Sequence, residues 1–184
     1  MKSHITNTLV MRNDLNGYFE QIKEYCLKNK KKAKYFRYHS FGEIETYSYL
    51  LGMVEVAKAC PDTIFYFYTK RFAFVERYLN EYGAFPTNLV CNLSEWEDNM
   101  AGFNLKGRGV NVFAYDNGTN LAFENVVHCP AVNSHGKTLK SVHCDKCGIC
   151  MKTNNHYICV YDHSGSLDPI STREAIKKSM KGGD

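Results

Sequence analysis

Residues 34–70, KYFRYHSFGEIETYSYLLGMVEVAKACPDTIFYFYTK, decide the fold. The two ends, KYFRYH at 34–39 and TIFYFYTK at 63–70, are short aromatic runs with the length of buried strands, and Cys60-Pro61-Asp62 punctuates the approach to the second. Between them TYSYLLGMVEVAKAC, 46–60, sets Tyr49, Leu50, Met53, Val54 and Ala57 on one helical face behind a Thr46 cap. The unit is predicted to be strand, helix, strand.

The same alternation extends outward. Upstream, DLNGYFEQIKEYCLKNK at 14–30 spaces Leu15, Phe19, Ile22, Tyr25 and Cys26 by three and four residues behind Asn13 or Asp14, which predicts an amphipathic helix. Downstream, a helix over 71–81 leads through Gly83 and Pro86 to strands at 87–94 and 109–115. Strands separated by helices imply right-handed crossovers and a mainly parallel sheet, so the expected fold class is α/β, a partial barrel or a small open sheet with flanking helices. The expected division is an α/β domain over 1–120 and, packed on it, a cysteine-rich metal-binding lobe over 121–184. The lobe holds a short strand, HYICVY, and a helical tail around STREAIKKSMK.

A chain of 184 residues that is 44% hydrophobic can bury one sizeable core. Lys and Arg number 23 against 19 Asp and Glu, too mild an excess for a dedicated nucleic-acid-binding domain. Weak, non-specific nucleic-acid binding through Lys30–Lys34, Lys70, Arg71, Arg77 and Lys137–Lys152 is kept as a supplement, because these cations are dispersed. No apolar run reaches the length of a membrane span and MKSHITNTLVMRND lacks a signal-peptide core. The expectation is therefore a protein of the cytoplasm of its host cell with no membrane partner.

Four of the eight cysteines crowd together. CPAVNSHGKTLKSVHCDKCGIC spells C-x14-C-x2-C-x2-C, from Cys129 to Cys144, Cys147 and Cys150. A C-x2-C step puts two thiolates on one turn, and Gly148 supplies a positive φ that lets backbone amides face sulfur. In a reduced compartment such clusters bind metal more often than they form disulfides. Zinc is the expected ion and an iron-sulfur cluster the alternative, because C-x2-C-x2-C also serves iron. His128 and His143 each precede a ligand cysteine and are expected to point away from it. Cys26, Cys60, Cys91 and Cys159 lie in apolar segments and are expected in the core.

FRYHSFGEIE, 36–45, follows the first strand, where parallel sheets place ligand-binding polar groups. Arg37, His39, Glu43 and Glu45 form a candidate site there, and Lys70 at the end of the next strand joins Arg37, His39 and Glu43 as a candidate crevice. The competing reading is a loop fastened by Arg37 to Glu43 or Glu45. The Lys28–Lys34 run reads as a solvated helix end. No Gly-x-Ser-x-Gly elbow exists for a hydrolase, and Gly107-x-Gly109 reads as a turn before a strand.

Phe36, Arg37, His39, Gly42 and Glu43, then Tyr66, Tyr68, Thr69 and Lys70, then Cys129-Pro130 with Cys144, Cys147 and Cys150 together resemble the phage-encoded gene product 88 family over about residues 34–150. The resemblance implies a remnant of a radical-SAM type α/β barrel of phage or prophage origin. Many relatives carry an N-terminal three-cysteine cluster for iron and sulfur. This chain has only Cys26 in its first 59 residues, Phe41 in place of a small hydroxyl residue, and Glu43 in place of aspartate. The implied function is a non-enzymatic, zinc-holding inhibitor that binds a host defence nuclease, an anti-CRISPR against a type II effector. The alternative is an iron-sulfur enzyme acting on a nucleotide or SAM-like ligand.

Overall fold

A computed structural model describes the chain except residues 1, 40–41, 96–98, 117–125, 133–138, 140–141, 154–156 and 162–184. Helices α1 (Lys2–Asn13) and α2 (Leu15–Lys28) precede β1 (Tyr35–Arg37), α3 (Tyr47–Ala59), β2 (Ile64–Thr69), α4 (Phe72–Tyr82), β3 (Leu89–Glu95) and β4 (Asn111–Asp116). Then come β5 (Val126–His128), a one-turn α5 (Cys144–Cys147), a 3-10 turn at Ile149–Met151 and β6 (Tyr157–Tyr161). The helical tail expected around 171–181 lies outside the described residues.

The predicted caps form. Asp14 Oδ1 accepts the Gly17 N–H at 2.8 Å and Thr46 Oγ1 accepts the Tyr49 N–H at 3.1 Å, so each helix starts where its first free amide finds a side-chain oxygen. Helix α1 and strand β5 were not predicted. The first lacks a clear apolar stripe, and three residues are too few to show a period of two.

All six strands are parallel, in the order β1-β2-β3-β4-β6-β5. The fold is therefore α/β with an open sheet whose edges are β1 and β5. Residues 121–184 supply β5 and β6 to the same sheet as β1–β4. Among the described residues no helix is long and apolar enough to cross a membrane.

Strand alternation divides the sheet into two faces. Phe65, Phe67, Leu89, Cys91, Leu93, Val112, Ala114, Tyr157 and Cys159 form one buried cluster with Phe19 and Ile22 of α2, Leu50 and Met53 of α3, and Val75 and Leu79 of α4. Cys26 and Cys60 join it, so all four scattered cysteines are core residues, as expected. Val90, Ile158 and Val160 alternate with that set. They are buried too, but outside the helical cluster, in a second layer with Met151 and Val132.

Topology explains the second layer. The steps from β1 to β4 all run one way across the sheet, so right-handed crossovers put their helices on one face. The step from β5 to β6 runs back, and the same handedness sends its connection over the other face. That connection carries Cys129, Cys144, Cys147 and Cys150.

The helical layer is closely fitted at Gly52, where any Cβ on α3 would overlap the Phe19 ring of α2. Alanine favours a helix by about 1 kcal/mol over glycine, but overpacking costs about 1–3 kcal/mol. Gly52→Ala is therefore expected to lower stability by up to about 2 kcal/mol in urea unfolding, and a stabilised variant would refute this packing.

Candidate metal centre

The 144–151 segment is a double turn hinged on Gly148. His143 takes the N–H groups of Lys146 and Cys147 on its carbonyl, and the Gly148 N–H returns to the Cys144 carbonyl at 2.8 Å. Gly148 then adopts φ 66°, the left-handed conformation expected of it, and the Met151 N–H closes the next turn on the Gly148 carbonyl. Cys129 sits just past β5, its N–H bonded to the Cys159 carbonyl of β6 at 2.7 Å.

These turns bring all four expected cysteines to one cavity of about 50 Å³, walled by Arg37, Tyr66 and Tyr68 from β1 and β2, by Ile158 of β6, and by Val142, Ile149 and Met151. The donor set is four thiols with no carboxylate, which is soft and suited to zinc or iron-sulfur chemistry. The Cys129 sulfur accepts backbone N–H bonds from Ala131 and Val132, as a thiolate would. In kind, then, the residues fit. Among the described residues no group of three or more His, Cys, Asp or Glu is already set as a metal cage, so the thiols share walls and would have to close on an ion. His128 and His143 are both exposed, in keeping with their expected places outside the site.

Burial pushes the Cys129 thiol up, an effect opposed by the N–H bonds from Ala131 and Val132. Burial also pushes Cys150 up, against the hydrogen bond from the Tyr68 hydroxyl, while the neighbouring cysteines add to the rise. Thiols held protonated by burial and mutual repulsion are those that a divalent cation would deprotonate.

Two residues absent from the sequence expectation hold the turn in place. Asn92 of β3 and Asn111 of β4 are wholly buried, paired across the strands, and face the cysteine layer. Asn92 Nδ2 donates to the Cys150 carbonyl at 3.0 Å and Asn111 Nδ2 to the Lys152 carbonyl at 2.8 Å, while Asn111 Nδ2 also reaches Asn92 Oδ1 at 3.2 Å. Asparagine is depleted in strands, and its presence within TNLVCNLS and GVNVFAY was the available signal.

Arg37, Glu43 and His39 of the strand-end crevice go different ways. Arg37 turns to the cysteine side, with its guanidinium 4.8 Å from the Tyr68 ring centroid. Glu43 fastens the loop, accepting the Thr69 hydroxyl at 2.6 Å, the Lys70 N–H at 2.6 Å and the Ile44 N–H at 2.8 Å. Thus the loop is fastened, but by the end of β2 and not by Arg37, while Glu45 pairs with Arg12 of α1 at 2.7 Å. Alternation would send His39 to the side of Arg37. Its φ of 54° reverses the chain and lays the ring 5.0 Å from that of Tyr49 on α3, with both ring nitrogens buried and unpartnered among the described residues. The Lys28–Lys34 run is the solvated helix end expected of it, Lys28 pairing with Glu24 and Lys30 with Asp62.

An open parallel sheet with helices on one face and a thiol-lined turn on the other defines an α/β protein built around a cysteine cluster. The sequence model of the gene product 88 family matches residues 2–153, and the chain belongs to this phage protein family. No curated protein and no solved structure matches it.

Two outcomes test this geometry. Removing either amide takes a donor from a partly buried carbonyl of the turn, so Asn92→Ala and Asn111→Ala should each cost about 0.5–1.5 kcal/mol. Because the amides touch, the double variant should cost less than the sum, read by a double-mutant cycle in urea. Separately, burial holds the His39 imidazole below its usual pKa, with Glu43 and Glu45 opposing. The unfolded chain then binds the extra proton first, so this contribution is intact above the unfolded value of about 6.5 and is lost as pH falls through the folded one. His39→Asn, which also tolerates the left-handed conformation, should flatten the fall in stability that the parent shows as pH drops below about 6.5.

Proposed function

We propose that this chain is a zinc-holding, non-enzymatic phage protein that acts by binding a host protein. The partner proposed is a type II CRISPR effector nuclease, whose DNA loading or cleavage it would block in the host cytoplasm. The observation that carries the reading is the convergence of Cys129, Cys144, Cys147 and Cys150 on one small cavity. Its volume of about 50 Å³ suits an ion, whereas sites for nucleotide-sized ligands run to about 300–1,000 Å³. Four protein thiolates also complete a tetrahedral zinc shell, leaving no open position for substrate or water, which favours a structural ion over a catalytic one. In this reading the ion ties the segment after β5 to the run before β6 and so stabilises the layer over the sheet. Binding activity would then lie elsewhere on the surface.

The iron-sulfur alternative uses the same thiols and is separated by colour and elemental analysis. Protein purified without added metal is expected to be colourless with one zinc per chain. A brown protein with broad visible absorbance would favour the enzyme instead. A chelator should unfold the C-terminal layer, seen as lost near-UV dichroism. For the partner, purified protein is expected to bind at least one type II effector nuclease and suppress its DNA cleavage; no binding across a panel, with cleavage undiminished, would end that part.

A further inference from the structure

We infer that Arg37 is the counter-charge of the thiol centre and, together with Tyr68, sets how tightly the ion is held, an inference that rests on the zinc reading above. Zinc bound by four thiolates carries a net double negative charge. Against walls made by Val142, Ile149, Met151 and Ile158, that charge is costly unless a cation and hydrogen-bond donors face it. Arg37 is the one formally charged side chain among the described residues lining the cavity other than the thiols themselves. Lys146 and Lys152 lie on the turn but are not among the residues that line the cavity, whereas Arg37, though its residue is exposed, forms part of its wall.

The geometry links cation to sulfur through one side chain. Tyr68 offers its ring face to the Arg37 guanidinium and its hydroxyl to the Cys150 sulfur. Tyr66, the strand partner of Arg37, stands edge-on to Tyr68 at 6.4 Å between ring centroids and restricts its rotation. A guanidinium has no lone pair to give a metal, so Arg37 acts through the ligands as a positioning residue. Two strands near the start of the sheet would thereby tune a centre whose ligands come more than fifty residues later in the chain.

The test measures zinc content of the full chain first, then zinc affinity by competition with a chromophoric chelator, then the visible spectrum of the cobalt(II)-loaded protein. Arg37→Gln is expected to weaken zinc binding by about 10–100-fold, the usual effect of losing such a partner. Arg37→Lys should restore most of it, and Lys32→Gln, a remote loss of one positive charge, should change nothing. Tyr68→Phe should weaken binding and shift the sulfur-to-cobalt charge-transfer band, because a hydrogen bond to Cys150 is gone. Zinc-bearing parent protein with an equally tight Arg37→Gln variant, or with Arg37→Lys as weak as Arg37→Gln, overturns this inference alone. A parent that holds no zinc overturns it together with the reading beneath it. If Arg37→Gln does not fold, Tyr68→Phe decides, and unchanged affinity with an unshifted band counts against the inference.

Discussion

Parallel strands need cover on both faces, and here the helices cover only one. Phe65, Phe67, Leu89, Leu93 and Val112 are buried by α2, α3 and α4, whereas Tyr66, Tyr68, Asn92 and Ile158 on the opposite face meet the chain between β5 and β6. This follows from strand order. Because β5 lies outside β6, the return step carries its connection to the face that the sequential strands leave bare. The cysteines therefore occupy a layer of the fold, and whatever holds them holds that layer.

A turn laid on a buried sheet brings unpaired carbonyls with it. An apolar strand would leave the partly buried carbonyls of Cys150 and Lys152 without these donors, at a cost of about 0.5–1.5 kcal/mol each. Asn92 and Asn111 remove that penalty, and by bonding to each other they leave little polar capacity idle. The pair also fixes the turn against the middle of the sheet, so that ordering the thiols and ordering the strands become one event.

The end of β1 shows how one backbone angle separates functions that sequence places side by side. Arg37 and His39 would share a face in a continuing strand. The left-handed conformation at His39 sends its ring to the helical layer instead, beside Tyr49, while Arg37 stays with Tyr68 and the thiols. Glu43 then closes the loop on Thr69 and Lys70, and its oxygens are engaged there. Glu43 is thus a fastening, His39 a buried ring and Arg37 a cation at the cysteine cavity.

Periodicity in the sequence was sufficient for α2, α3, α4 and the first four strands, because each buries a continuous face and carries its own stop signals, with Asp14 and Thr46 marking helix starts within a residue. Spacing was likewise sufficient to group Cys129, Cys144, Cys147 and Cys150 and to foresee the left-handed Gly148, since a tight thiol turn is a local matter. Strand order is not local. It places β5 outside β6, sets the face on which the cysteines lie, brings Asn92 and Asn111 beneath their carbonyls, and moves Arg37 from a loop crevice to the thiols. Those placements depend on which strands pair and in what direction the chain crosses them, a competition among contacts dozens of residues apart that no short window of sequence contains.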